Sequence, residues 1–113
     1  YPNYFKVNGP NTGTGHSSQI SYMQTMTSYA VKAIRAVKRK EGVRAIDARS
    51  DVQRDYVAGV RKLLQATVWQ TGGCTAFYRK DMTGDVTSLS PESVVHFIFS
   101  RQRVRLEDYH LIR

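Results

Sequence analysis

The segment NGPNTGTGHSSQ, residues Asn8–Gln19, is a glycine-rich polar loop between a short β-type run and a long predicted helix. Its three glycines let the backbone approach a ligand closely, because a glycine has no Cβ in the way. The first amides of a helix lack partners within it and carry the positive end of its dipole, so they hold anions. The loop therefore predicts an anion site. The same residues also allow a flexible connector that ends in an N-cap serine.

The spacing of the loop residues excludes two common phosphate motifs. The segment GPNTGTG lacks the Gly-Lys-Ser/Thr ending of a P-loop, so no lysine is placed for a terminal phosphate. It also lacks the third glycine of a dinucleotide fingerprint, because Ser18 stands at that position after Gly13 and Gly15. Spacing alone therefore predicts a ligand loop without identifying its ligand.

Two amphipathic helices are predicted from apolar residues that recur every three or four positions. The first begins near Ser17 or Ser18 and ends at Lys38–Lys40, with Gly42 as a left-handed cap. The second begins at Ser50 with a capping box to Gln53, and TGGC ends it. The first apolar stripe is Met23, Met26, Ala30, Ala33, Ile34 and Val37, and the second is Val52, Tyr56, Val60, Leu63, Leu64 and Val68.

Four short segments have the composition of strands. They are YFKV (residues 4–7), VRAIDA (43–48), TAFY (75–78) and VVHFIF (94–99). The predicted order is β, α, β, α, β, β, an α/β chain with two long helices and a few short strands. So small a sheet leaves much of the apolar surface of both helices uncovered, so we expect the chain to pack against a missing domain or a partner.

The chain is basic, with a formal net charge of +8 from 17 Lys and Arg against 9 Asp and Glu. The chain has two short basic clusters, Lys38–Lys40 and Arg101–Arg105, with single charges elsewhere, and a solvated face is the favoured interpretation. Basic and aromatic residues do not interleave on one face, which argues against nucleic-acid binding. The single cysteine, Cys74, is expected to be small and buried. It indicates a reducing compartment, the cytoplasm, and no run of about 18 apolar residues predicts a membrane span.

The segment PNYFKVNGPNTGTGHSSQI resembles a stretch in the C-terminal part of flavin-containing monooxygenases, especially those of the Baeyer-Villiger type. The segment TVWQTGGCTAFYRKD, residues 67–81, is similar to a second family stretch, and EDYHL, residues 107–111, to the family's usual ending. The similarity covers nearly the whole chain. It implies the incomplete C-terminal part of a flavoprotein with two dinucleotide-binding domains. Residues 1–42 would end the FAD-binding domain, and residues 43–113 would extend near the substrate and NADP side.

The resemblance also implies which residues form the site, and it assigns no catalytic residue and no metal. Phe77 and Tyr78 would lie on the substrate and NADP side. Phe77 stands where the family usually has Trp, and Ser90 replaces a second Trp, so the pocket wall is altered. The residues implied to contact the flavin are Gly9, Pro10, Asn11, Thr12, Gly13, His16 and Ser17.

The implied activity is an FAD- and NADPH-dependent monooxygenation, either insertion of oxygen beside a ketone or oxidation of a heteroatom. Neither dinucleotide fingerprint of such an enzyme is present in these 113 residues, so we expect the chain alone to be inactive and to hold FAD weakly. One alternative is a stand-alone shortened homologue, acting as a non-flavin enzyme, a partner subunit or a homo-oligomer. A basic nucleic-acid-binding module is the third hypothesis.

Overall fold

The computed structural model describes all residues from Tyr1 to Arg113. Two long helices, α1 and α2, are joined by a short strand, and the rest is short helices and turns around a two-stranded sheet. The chain is thus a small α/β unit, with less sheet than the sequence predicted. The elements are α1 (Gln19–Lys38), β1 (Ala45–Ala48), α2 (Ser50–Gln65), α3 (Val68–Thr71), α4 (Val94–Ser100) and β2 (Tyr109–Ile112), with single 3₁₀ turns at Lys80–Met82 and Leu106–Asp108.

Helix α1 begins where the loop and the apolar period predicted. Ser18 is its N-cap residue in backbone terms, although its side chain makes no capping hydrogen bond. The cations Arg35 and Lys38 lie in the last turn, where they favour the negative end of the dipole. Gly42 has φ 72°, the predicted left-handed conformation, which glycine adopts without strain. The C-cap residue is Arg39, however, so Gly42 turns the chain toward β1 and does not cap the helix as predicted.

Helix α2 begins at Ser50 as predicted, but the predicted capping box between Ser50 and Gln53 is wrong. Arg49 is the N-cap residue, and the amide of Gln53 donates to the Arg49 carbonyl. The guanidinium of Arg49 instead pairs with Asp51, its Nη2 lying 2.6 Å from Oδ2. The helix also ends earlier than TGGC, at Gln65, and Val68 belongs to the separate turn of α3.

The sheet pairs β1 with β2 in antiparallel register. Ala45 lies opposite Ile112, and Ala48 lies opposite Tyr109. β1 confirms the VRAIDA prediction, whereas β2 was not predicted. The segment YFKV is not a strand, which corrects the prediction. The residue before it, Asn3, bonds to Ile46 of β1 twice: its amide donates to the Ile46 carbonyl, and its Oδ1 accepts from the Ile46 amide. Asn3 has φ 59°, so the extended backbone that a ladder needs is broken directly before the segment.

The segments TAFY and VVHFIF are not strands either. TAFY lies in a turn, where the Ala76 amide donates to the Met82 carbonyl. VVHFIF forms α4, because the Ser93 hydroxyl accepts from the His96 amide and caps a helix start. Phe97 is completely buried and Val94 and Ile98 are half-buried, whereas Val95 and Phe99 are exposed, so burial follows the i, i+3, i+4 period of a helix.

Only 12 of the 113 residues are buried, and six of them form the two small clusters of the core. In the first, the rings of Tyr22 and Phe97 stack with centroids 3.9 Å apart, so α1 and α4 pack directly. The second cluster joins α2 to the loop before α4 and consists of Val60, Leu64, Val86 and Leu89, with Trp69 and Tyr78 against it.

One face of α1 is not covered by the rest of the chain, as we expected from the small size of the predicted sheet. Its exposed apolar side chains recur at helical spacing and are Ile20, Met23, Val31 and Ile34. None of the helices is both long enough and apolar enough to span a lipid bilayer.

Candidate functional site

The glycine-rich loop is held by the segment before α4. The Gly13 amide donates to the Ser88 carbonyl at 2.8 Å, and the Ser90 amide donates back to the Gly13 carbonyl at 2.7 Å. The Asn11 amide adds a third bond, to the Thr87 carbonyl at 2.9 Å. The loop is therefore a fixed element with defined backbone partners, and the flexible-connector interpretation does not describe it.

Two of the predicted flavin-contacting residues use their side chains inside the chain. The Asn11 amide group donates to the carbonyls of Val86 and Leu89, and Asn11 itself is left-handed, with φ 53°. The Thr12 side chain is buried, where its hydroxyl accepts from the Gly9 amide and donates to the Gly9 carbonyl. Both side chains shape the loop through these hydrogen bonds.

The glycines at 13 and 15 are explained by packing within the chain. A Cβ on Gly13 would lie 2.8 Å from the Ser88 carbonyl oxygen. A Cβ on Gly15 would lie 2.6 Å from Cζ2 of Trp69, well inside contact distance. The missing side chains let the loop lie close to its own neighbours, which is a different use from approach to a ligand.

The start of α1 presents a row of backbone amides without partners. The amides of residues 15–21 donate no hydrogen bond within the chain. Ser17 lies beside them, and its Oγ is the one buried side-chain oxygen or nitrogen that lacks a hydrogen-bond partner. Unpaired buried polar groups are costly, so this arrangement fits an acceptor such as a carbonyl, a ring nitrogen or an anion.

Side chains on either side of this helix start fix its position. The Gln19 side chain accepts from the Thr14 amide at 3.0 Å and donates to the Thr12 carbonyl. The His16 ring is exposed and stacks on Trp69, with centroids 6.0 Å apart and planes at 27°. Loop and helix start are therefore anchored through Gln19 on one side and through the only tryptophan on the other.

An open cavity of about 980 Å³ lies on the outer side of the loop. Gly9, Pro10 and Gly13 line it together with Lys6 and Ser88, and neither His16 nor Ser17 reaches it. The structure thus divides the seven predicted residues into three groups. Gly9, Pro10 and Gly13 face the cavity, Asn11 and Thr12 serve the loop, and His16 and Ser17 lie at the helix start.

Phe77 and Tyr78 are neighbours in sequence but lie in different surroundings. Phe77 is 83% exposed, whereas Tyr78 packs against the cluster of α2. Their rings meet edge to face, with centroids 5.6 Å apart. Of the two, only the Phe77 ring is available to a ligand or partner, and the Tyr78 ring packs between it and the α2 cluster.

Arg79, which sequence reasoning did not single out, holds the loop that carries Phe77. Its side chain is buried and donates to the carbonyls of Gln70, Cys74 and Gly84, at 2.6, 3.1 and 3.0 Å. No carboxylate pairs with it, so three backbone dipoles compensate the charge. An arginine after an aromatic pair carries no sequence signal for this role. Cys74 is exposed, which corrects the prediction that it is buried, because the turn it occupies lies at the surface.

A second polar cluster, also missed from the sequence, lies between α1, α2 and α4. Glu92 is buried and accepts from Arg101, with Nη2 3.0 Å from Oε2. The His96 ring lies 3.0 Å from the other carboxylate oxygen, and the Tyr22 hydroxyl donates to the Glu92 carbonyl. Burial is the main cause that raises the pKa of Tyr22 above its usual value. The i, i+4 spacing of Glu92 and His96 is the only signal that the sequence offered.

Comparison with known proteins gives related sequences along the whole chain. It is 34% identical to a Baeyer-Villiger monooxygenase of Streptomyces coelicolor over 100% of its length, and 30% identical to one of Pseudomonas aeruginosa over 98%. It is 34% identical to the FAD-binding monooxygenase ktnD of Aspergillus niger over 97%. It covers 22%, 21% and 18% of these relatives, so it spans about a fifth of their length. No family model and no solved structure matches it.

Proposed function

The chain is related along its whole length to one segment of the FAD-binding and Baeyer-Villiger monooxygenases, and we propose that it forms the C-terminal, flavin-contacting part of such an enzyme. The observation that carries this proposal is the row of unpaired amides at the start of α1, with the unpaired Ser17 hydroxyl beside it. These donors fit an acceptor group of the kind that an isoalloxazine ring presents.

Each part of the helix start would have a distinct task toward FAD. When bound, FAD supplies the chemistry that activates dioxygen and delivers oxygen to the substrate. The amides of residues 15–21 would stabilise negative charge on the flavin, since they sit at the positive end of the α1 dipole. Ser17 would donate one directed hydrogen bond, and His16, exposed on Trp69, would border the ring. Gly9, Pro10 and Gly13 would line the adjoining cavity.

The two parts of the chain would have different roles in the enzyme. Residues 1–42 would complete the FAD-binding domain, and residues 43–113 would form an extension toward the substrate and the NADP side. Phe77 would meet the substrate or the nicotinamide, because it is the exposed aromatic residue of a loop that Arg79 holds rigid. NADPH would supply the reducing equivalents. A reducing compartment such as the cytoplasm agrees with the single exposed thiol.

The uncovered face of α1 supports the proposal that this chain is one part of a larger enzyme. Ile20 and Val31 lie one above the other on this face, 66% and 41% exposed, and Met23 and Ile34 flank them. The missing flavin and NADP domains would cover this face in the whole enzyme, since the chain corresponds to about a fifth of its relatives. Without these domains we expect no turnover of NADPH.

The test uses the natural-length protein that contains these residues, with FAD affinity measured by quenching of flavin fluorescence. Ser17→Ala removes the unpaired hydroxyl and should weaken FAD binding about tenfold, as expected for one hydrogen bond of roughly 1 to 1.5 kcal/mol. Ser18→Ala is the matched control, because the Ser18 side chain makes no capping bond, and it should leave the affinity within about twofold.

Three results would contradict the proposal in different ways. Equal effects of the two substitutions would remove Ser17 from the flavin site. A natural-length protein that is colourless, folded and oligomeric would favour the shortened homologue that acts as a partner subunit or non-flavin enzyme. Tight, salt-sensitive binding of DNA without flavin would favour the nucleic-acid module.

A further inference from the structure

We propose that the cleft between α1, α2 and α4 is a binding site for a small organic anion with a planar apolar body, separate from the proposed flavin site. The cleft encloses about 350 Å³, within the range of small-molecule sites. Its cationic and aromatic lining carries the proposal. Six of the lining residues are Tyr29, Tyr56, His96, Arg101, Arg103 and Arg105.

One of the three guanidinium groups is already fixed as part of the wall. Arg101 donates to Glu92 and to the Tyr56 hydroxyl, the latter at 2.9 Å, and its guanidinium carbon lies 3.7 Å from the centroid of the Phe97 ring. Its side chain is only 14% exposed. A cation held by these three protein groups keeps its place when a ligand arrives, so little ordering entropy is lost.

The other two guanidinium groups leave positive charge available. Arg103 makes no hydrogen bond and no ion pair within the chain, although it lines the cleft. Arg105 uses Nε for Glu107, at 3.1 Å, and for Asp108, at 3.7 Å, which leaves its terminal nitrogens free. An incoming anion can therefore meet donors from two side chains without breaking a contact.

The acidic groups at the cleft do not cancel this charge. Two carboxylates line it, Glu92 and Asp108, against three guanidinium groups. Both oxygens of Glu92 are occupied, by Arg101 and by the His96 ring, and Asp108 faces Arg105. The surplus cation is Arg103, and a ligand with one or two negative charges would neutralise it.

The walls indicate the body of the ligand. The rings of Tyr29 and Tyr56 and the side chain of Met26 form an apolar surface beside the cationic rim. The Tyr29 hydroxyl is engaged with that of Tyr109, at 2.7 Å, so its ring presents mainly its faces and edges to the cleft. An aryl phosphate or aryl carboxylate matches a flat apolar wall next to guanidinium donors.

Calorimetric titration of the natural-length protein with phenyl phosphate tests the site, with phenol as the neutral analogue. We expect saturable binding of phenyl phosphate and none of phenol at the same concentrations. Arg103→Gln should weaken binding about tenfold, since it removes one charge-assisted hydrogen bond without disturbing a contact in the fold. Arg54→Gln is the matched control, because Arg54 is exposed on α2, lies outside the cleft, and its side chain makes no hydrogen bond or ion pair.

Each contrary result would overturn a stated part of the proposal. Absence of saturable binding, or an equal loss with Arg54→Gln, would show that only the net charge attracts the anion. Equal affinities for inorganic phosphate and phenyl phosphate would show that the aromatic ring of the ligand contributes nothing to binding. Circular dichroism of both variants confirms that their folds match, so a loss of binding reports the cleft itself.

Discussion

The indole ring of Trp69 occupies the space that a side chain on Gly15 would need, 2.6 Å from the ideal Cβ position. Gly15→Ala should therefore push the ring away from the loop and disturb the start of α1. Because Trp69 is the only tryptophan, its fluorescence reports this displacement directly. We expect a shifted emission maximum and a loss of about 1 to 3 kcal/mol of stability, typical of overpacking.

Gly59→Ala is the matched control for this substitution. A Cβ at Gly59, within α2, meets nothing within 4 Å, and alanine is favoured over glycine in a helix. The control should leave Trp69 emission unchanged and raise stability by about 0.5 to 1 kcal/mol. An unchanged emission in Gly15→Ala would mean that Trp69 does not fix the loop.

Phe97 and Phe99 lie in one short helix with opposite exposure, so they form a paired test of the core. Phe97 is completely buried against Tyr22, whereas Phe99 is 72% exposed. Phe97→Ala should cost about 3 to 5 kcal/mol in urea unfolding, because it removes buried surface and leaves a cavity. Phe99→Ala should cost less than about 1 kcal/mol. Similar losses for both would contradict the packing of α4 on α1.

Arg79→Lys should loosen the loop that carries Phe77 even though the charge is kept. A lysine ammonium is one point of donation and cannot reach three carbonyls in different directions as the guanidinium of Arg79 does. We expect faster amide exchange between residues 74 and 84 and a stability loss of roughly 2 kcal/mol. Arg61→Lys, at an exposed position of α2, should change neither. Unchanged exchange in Arg79→Lys would show that the loop keeps its shape without the arginine.

The half-buried Tyr109 side chain should make the folded state less stable at alkaline pH. Burial is the largest cause that raises its pKa, followed by the hydroxyl of Tyr29. The folded state therefore favours the neutral phenol, so its contribution is fully present below the unfolded pKa of about 10 and is lost as pH rises above it. Between about pH 9 and pH 11, Tyr109→Phe should lose less stability than the unmodified chain. Tyr1→Phe, at a fully exposed ring, should follow the unmodified chain.

The sequence predicted the elements whose signal is local. Helix α1 follows from a polar loop before an apolar period, and β1 from a short alternating run. Helix α4 was predicted as a strand because Val94, Phe97 and their neighbours are β-branched or aromatic, yet its cap and burial period are helical. β2 was missed because a four-residue edge strand is defined mainly by its distant partner.

The candidate site divides in the same way. The glycine-rich loop and the helix start were identified from motif residues and the resemblance, and the free Ser17 hydroxyl lies within that set. Arg79 and the Glu92–Arg101 pair were not identified, because their partners are backbone carbonyls or side chains brought near only by folding. Tyr78 was grouped with Phe77 by sequence, but tertiary packing gives it a role in the core.

The pairing of β1 with β2 has a consequence for how quickly the chain folds. Ala45 joins Ile112, so α2, α3, α4 and every turn between them lie inside one closed circuit of backbone. Contacts between distant residues form slowly, since the chain loses much entropy before they contribute. The helices can form early from local contacts, and the circuit closes last. A ribosome must release Tyr109–Ile112 before that closure is possible, so the sheet forms after the helices that lie between its two strands.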